Sequence, residues 1–397
     1  MMPASIQPPV AQTPEIDALL AAGAVCAIGV SGGRDSQACA LATHEYLNAI
    51  GHTGPRVLIH ADLGRVEWRD SLPVCERLAA YLNYELLITR RAAGDMLARW
   101  QGRWAANLGR YRELECVKLV LPWSTPSMRF CTSELKSAPI SSKLRKRFPG
   151  LPIVSATGVR REESAARQRM PVSAPMAKLE RKKAPGFSWN PIIEWKAADV
   201  MAIVKRHNLA LHEAYTIYGT SRVSCAYCIM SSEADMLAAA TCMDNAGLYR
   251  EMVALECEST FAFQGNRWLA DVAPQLLFPE MRERVAAAKV AAIARQGAEA
   301  RIPRHMLYSP GWPHVVPNQT DAELLADVRR DVALAVGIDI EYMTAGTIQE
   351  RFEALIRAKK AHPVTATGSS GHSLLMFDAN QSCASDGGAH EPEGAIA

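Results

Sequence analysis

The chain has 397 residues, 49% of them hydrophobic and 21% charged, a globular balance with length for one large or two medium domains. Its formal net charge of +3 is too small to imply a nucleic-acid partner by itself. No run reaches the ~18 apolar residues of a membrane span. No Lys or Arg precedes the apolar stretch 18–30, so no signal peptide is expected and the default location is cytoplasmic. Ten cysteines without an export signal point to reduced thiols or metal ligands rather than a disulfide framework.

Residues 1–14, rich in Pro, Gln and Ala, read as a loose N-terminus. The apolar run 24–30 then reads as a buried strand and 37–44 as a helix, with Ser31-Gly32-Gly33-Arg34-Asp35-Ser36 between them. A Ser/Gly loop between a strand and a helix N-terminus is a phosphate site. Glycines let the backbone approach an anion, and free helical N–H groups and the dipole favour negative charge. The spelling is neither that of a P-loop nor that of a dinucleotide fingerprint.

Strands are expected over 25–30, 56–60, 85–89, 152–157 and 189–193, and helices over 35–48, 67–82, 133–147 and 197–207. This alternation predicts an α/β fold, a parallel twisted sheet flanked by helices, with ligands at the carboxyl ends of the strands. The weakly patterned stretch 94–122 reads as an insertion or a lid. Helical patterns over 233–255, 279–295 and 321–335 predict a helical C-terminal region. The resulting division is 15–232 for the α/β domain, 233–362 for the helical region and 363–397 for a disordered tail; from Thr365 on there is no Lys or Arg. Two basic stretches, 136–147 and 160–183, read either as solvated helix faces or as a rim for a polyanion.

Further motifs follow the loop in order. They are His60-Ala61-Asp62-Leu63-Gly64, Arg129-Phe130-Cys131-Thr132-Ser133-Glu134-Leu135-Lys136 and Gly158-Val159-Arg160-Arg161-Glu162-Glu163-Ser164. Then come Asn190-Pro191-Ile192-Ile193-Glu194-Trp195, Tyr215-Thr216-Ile217-Tyr218-Gly219 and Ser221-Arg222-Val223-Ser224-Cys225-Ala226-Tyr227-Cys228. Thr132 or Ser133 is a candidate cap for the helix that follows. A thiolate at Cys131, flanked by Arg129 and Lys136 near a helix start, would have a lowered pKa. Cys225-x-x-Cys228 is a two-thiolate clamp for zinc or an iron–sulfur cluster.

Together these segments, from about residue 24 to 231, resemble the PAPS (phosphoadenylylsulfate) reductase-like branch of the PP-loop ATP pyrophosphatase, or adenine nucleotide alpha hydrolase, superfamily. The resemblance implies the HUP-like fold and a site for an adenine nucleotide, either ATP with Mg²⁺ or a sulfonucleotide. In it Ser31, Gly32, Gly33, Asp35, Ser36 and Gly158 would cradle the phosphates, and Asp62 would meet a ribose hydroxyl or a metal-bound water. Leu63 departs from the Thr usual in that turn. Arg160, Arg161 and Lys136 would stabilise developing charge, beside Asp35 and Ser36, as catalytic residues. Cys131 would join Cys225 and Cys228 around a 4Fe-4S cluster, with zinc as the alternative metal.

The Cys-Cys pair of adenylylsulfate reductases is Phe130-Cys131 here, and their C-terminal Glu-Cys-Gly-Leu-His-like motif has no match; Cys383 lies in a different context. That turns the reading from reduction toward ATP-driven sulfur incorporation, close to the ATP-pyrophosphatase component of DNA phosphorothioation systems. The implied partners are DNA or tRNA as sulfur acceptor and a cysteine desulfurase or other sulfur donor. The alternatives are a divergent phosphoadenylylsulfate/adenylylsulfate reductase and a nucleotide-sensing, nucleic-acid-binding protein without turnover.

Overall fold

The computed structural model describes residues 8–182 and 184–361. The expected tail over 363–397, with Cys383, and the first seven residues lie outside the described residues. Contacts divide the described residues into two compact units, one of residues up to 104 and 121–288, the other of 105–120 and those from 289 on.

The first unit is built on a six-stranded sheet: β1 Val25–Val30, β2 Arg56–Asp62, β3 Glu85–Arg90, β4 Ile153–Ala156, β5 Ser173–Pro175 and β6 Gly186–Trp189. The order is β3-β2-β1-β4-β6-β5. All neighbours are parallel except β5, which runs antiparallel to β6 at the edge. Cys26, Ile28 and Val30 of β1 enter one core with the helices Arg34–Ala49 and Ser71–Leu82. Val25 and Ala27 enter the opposite core with Val57, Ile59, Leu144 and Phe148. Burial on both faces is why β1 reads as a continuous apolar run rather than an alternating one.

Three sequence expectations need correction. The last strand ends at Trp189 instead of beginning there. Asn190 leaves the ladder, its side-chain amide donating to the Pro171 carbonyl at 3.0 Å, and Pro191 has no N–H to pair. The helix expected from residue 67 starts at Ser71, because Glu67 is extended and bridged antiparallel to Cys225. Stretch 94–122 carries a regular helix, Met96–Arg112. Its buried positions are Met96, Leu97, Trp100, Arg103, Trp104, Asn107 and Tyr111. That is a helical period, but Arg103 and Asn107 sit on the buried face and hide it from a hydrophobicity count.

The C-terminal part of the first unit is helical: Glu233–Thr241, Ala246–Ser259 and the start of Pro279–Ala300. Glu256, fully buried in it, accepts the N–H groups of Phe263, Leu269 and Ala270 at 2.7–3.0 Å and so shapes the loop that follows. The second unit contains the helices Gln319–Val336 and Ala345–Ala361. Its buried Arg329 donates to the carbonyls of Tyr111 at 2.8 Å and Glu341 at 2.7 Å, with its guanidinium over the Tyr111 ring. No helix among the described residues is long and apolar enough to cross a membrane.

Candidate functional site

In the sheet order, β2 and β3 lie on one side of β1 and β4 on the other. The connections leaving β1 and β4 therefore diverge, and a crevice opens at the carboxyl ends of these two strands. A cleft of about 540 Å³ sits there. It is lined by Ser31, Gly33, Arg34, Asp35 and Ser36 after β1, by Thr157–Arg160, Glu163 and Arg167 after β4, and by Glu67, Lys136, Tyr215 and Arg222 from other segments.

The loop after β1 is braced from within. The Ser36 hydroxyl donates to the Gly33 carbonyl at 2.7 Å and accepts the Ser31 N–H at 3.2 Å. Gly32 has φ of +78°, and a Cβ there would stand 3.0 Å from the Ser71 carbonyl oxygen. His212 supports this corner; its Nδ1 accepts the Ala214 N–H, so its Nε2 carries the proton toward Ser71 Oγ at 3.2 Å. Burial pulls the His212 imidazole down to about 4, which keeps it neutral. Gly158 allows the other close approach, since a Cβ there would be 2.6 Å from the Asp35 carbonyl oxygen.

Arg160 is the fixed cation of the cleft. It is almost fully buried, its Nε donates to Asp35 at 2.6 Å, and it also pairs with Glu162. Burial alone would lower its pKa, but Asp35 and Glu162 outweigh burial and hold it above the ordinary arginine value. Arg167, paired with Glu163, also lines the cleft. Arg161 does not; it pairs with Glu194 and donates to the Met170 carbonyl at 3.0 Å. Asp62 is also outside the lining, accepting from the Gly64 N–H at 2.7 Å and from Arg90 at 2.6 Å.

Cys131 lies in a helix that begins at Phe130, ahead of both Thr132 and Ser133, so neither caps it. A π turn, Ser133–Ser137, interrupts this helix before Ala138–Arg147 and carries Lys136, a lining residue of the cleft. Such turns recur at functional sites because one extra residue re-aims the side chains. The segment is gripped from the helix Met96–Arg112. The Arg99 and Arg103 guanidinium groups lie over the Phe130 ring at 4.7 and 4.9 Å, and Arg99 donates twice to Glu134.

Cys225 faces Glu67 across the isolated bridge. Burial, then the adjacent Cys228, pushes the Cys225 thiol up, while Lys136 pulls the other way; Glu67 and Cys131 also act on it. None of the described cysteines forms a disulfide. Among the described residues, no three His, Cys, Asp or Glu side chains are closed into a metal-holding group. The donor set, three thiols on two segments, is nevertheless the chemistry that zinc or an iron–sulfur cluster takes.

Sequence reasoning assigns no role to His60 or Glu67. His60 is buried at the end of β2, with Nδ1 3.0 Å from the Val30 carbonyl and Nε2 3.1 Å from Glu67. Both partners only accept, so both ring nitrogens carry protons. Burial opposes this charge, but Cys75 and Glu67 raise the imidazole to about 10. The available signal was a histidine closing the apolar run Val57-Leu58-Ile59, seven residues before an acid.

A model of the phosphoadenosine phosphosulfate reductase domain matches residues 26–230. The chain belongs to this family. It is therefore an enzyme-family member of the sulfur-related PP-loop kind, and its six-stranded sheet with flanking helices is that fold. An uncharacterized 37.8 kDa protein from Escherichia phage 186 is 26% identical over 242 residues, covering 53% of this chain and 68% of the phage protein. Two solved structures are similar at low scores. Phosphoadenylyl-sulfate reductase from Candida auris, in a phosphate complex, is 14% identical with a TM-score of 0.32, covering 55% of this chain and 98% of its own. The U34-tRNA thiolase NcsA from Methanococcus maripaludis, with its [4Fe-4S] cluster, is 12% identical with a TM-score of 0.34, covering 66% and 84%. Both superpositions are loose and assign no role to any residue here.

Proposed function

We propose that this family member is an ATP pyrophosphatase-type enzyme that activates an acceptor with ATP for sulfur incorporation. The observation that carries the reading is the cleft at the β1/β4 crevice, where a braced Ser/Gly loop faces Arg160 and Lys136. Backbone N–H groups at the start of the helix Arg34–Ala49 would receive the β- and γ-phosphates. An acceptor oxygen would attack the α-phosphorus, forming a P–O bond as the bond to pyrophosphate breaks. Lys136 and Arg160 would stabilise the charge that develops on the departing pyrophosphate. Asp35, half committed to Arg160, would hold Mg²⁺. Arg161 and Asp62, tied into ion pairs beside the cleft, would act by holding its walls.

Cys131, Cys225 and Cys228 would hold the metal group, which would supply the chemistry for carrying sulfur. The sulfur would come from a donor such as a cysteine desulfurase, and the acceptor would be DNA or tRNA, as in a phosphorothioation or thiolation.

The test is pyrophosphate release from ATP by protein purified without oxygen, offered plasmid DNA or bulk tRNA with a sulfur donor. Release is expected, and Ser36→Ala should cut it by roughly tenfold or more, the scale of losing a preorganised anion contact. No release with either acceptor, together with full cellular function of Ser36→Ala, would sink the reading. Thioredoxin-dependent sulfite release from a sulfonucleotide would replace it with a reductase. Iron and sulfide assays on the same preparation decide the metal; a colourless, zinc-loaded protein removes the cluster.

A further inference from the structure

The loop that carries Cys225 and Cys228 is fastened at its upstream end to the phosphate loop. Arg34 donates from Nη2 to the Ser221 carbonyl at 3.1 Å and lays its guanidinium 5.1 Å from the centre of the Tyr215 ring. The Tyr215 hydroxyl accepts the Val223 N–H at 3.1 Å and, more weakly, the Arg34 N–H at 3.4 Å. Ser221 is held in turn by buried Asp235, which accepts its N–H at 2.6 Å and its hydroxyl at 2.8 Å. The downstream end has a separate anchor. The Gln264 side-chain amide donates to the carbonyls of Cys228, Ile229 and Ser231 at 3.0–3.2 Å, and Gln264 does not line the cleft.

Arg34 does line the cleft, and its present hold is weak. It faces a neutral carbonyl and an aromatic face, and its Nε is buried without a hydrogen-bond partner. A phosphate oxygen offers the same guanidinium a charge-assisted bond about twice as strong. An anion seated at residues 31–36 therefore competes with Ser221 for Arg34.

The geometry points to Arg34 and Tyr215 as positioning residues that couple the phosphate loop to the cysteine loop. Anion binding draws Arg34 off Ser221 and loosens residues 221–225 while the holds from Asp235, Tyr215 and Gln264 stay, so the upstream end of the cysteine loop slackens only when the nucleotide is in place. This rests on the nucleotide reading above. It gives the contacts between Tyr215, Arg34 and Ser221 a task in timing rather than in chemistry.

Hydrogen exchange on the full chain tests it, with α,β-methylene ATP and Mg²⁺ or with inorganic pyrophosphate as probes. Either probe should slow exchange at 31–37 and speed it at 221–225 by roughly three- to tenfold, the factor for losing one hydrogen bond. Arg34→Met should exchange fast at 221–225 already and show no further response, while Arg34→Lys keeps a response. Tyr215→Phe, which retains the ring, should release the Val223 amide without any probe. Slower exchange at 31–37 with no acceleration at 221–225 overturns the coupling and leaves the nucleotide site standing. So does a full response in Arg34→Met. No slowing at 31–37 with either probe overturns both readings.

Discussion

At His60 a buried imidazolium lies between the Val30 carbonyl and Glu67, and Glu67 lines the cleft. The charge is maintained by its acceptors against burial, so it has a pH signature. The folded value of about 10 lies above the ordinary histidine value near 6.5, so folding takes up a proton between them. The stabilisation is fully present below about pH 6.5 and is lost as pH rises through about 10. His60→Asn should therefore be less stable than the parent by roughly 3 kcal/mol at pH 6. Denaturant titrations should show that gap closing toward pH 10; a gap constant over that range would refute the imidazolium. Sequence reading singles out the Ser/Gly loop that lines the cleft at this scale because Ser, Gly and Asp are spelled out in order. It passes over His60 and Glu67 because their role comes from a pairing across a turn.

At the scale of elements, close approach of backbones decides what can change. The turn after β4 presses on the start of the helix Arg34–Ala49 at Gly158, where a Cβ would overlap the Asp35 carbonyl oxygen at 2.6 Å. Gly158→Ala should cost roughly 1–3 kcal/mol of stability and weaken nucleotide binding with it. Gly102→Ala is the control, because Gly102 is mid-helix with open space around it and should gain up to about 1 kcal/mol. Thermal unfolding and calorimetric nucleotide titration of both variants check the pair; equal behaviour would mean that the turn yields. The helix Met96–Arg112 shows the complementary limit of sequence reading. Its periodicity becomes visible only when Arg103 and Asn107 count as buried, and that depends on what surrounds them. The π turn at Ser133–Ser137 is likewise a local departure that no residue pattern in 133–147 announces, yet it carries Lys136 at the cleft.

For the whole molecule, strand alternation is enough to foresee a parallel sheet and a cleft at its carboxyl edge. The position of the crevice is not, because it depends on β4 pairing with β1 rather than with β3. That long-range pairing brings residues 31–36 and 157–160 to one cleft. The C-terminal helices were legible from their periodicity, while their split between two compact units follows from contacts made by residues 105–120, far away in sequence.

The N-terminal segment carries a practical consequence. The Trp189 indole N–H donates to the Ala11 carbonyl at 2.7 Å and the Trp195 indole N–H to the Pro9 carbonyl at 3.1 Å. Both rings are otherwise buried. A stretch that composition marks as filler thus closes two indole sites, and a version of the protein trimmed to start after Gln12 would leave both donors unanswered. Such a protein should show red-shifted tryptophan emission and lose roughly 2–6 kcal/mol of stability, the sum for two stranded buried donors. Emission unchanged after trimming would show that water or side chains take over. Until that is measured, recombinant protein for activity work is best made with the first twelve residues intact and any purification tag placed at the other end.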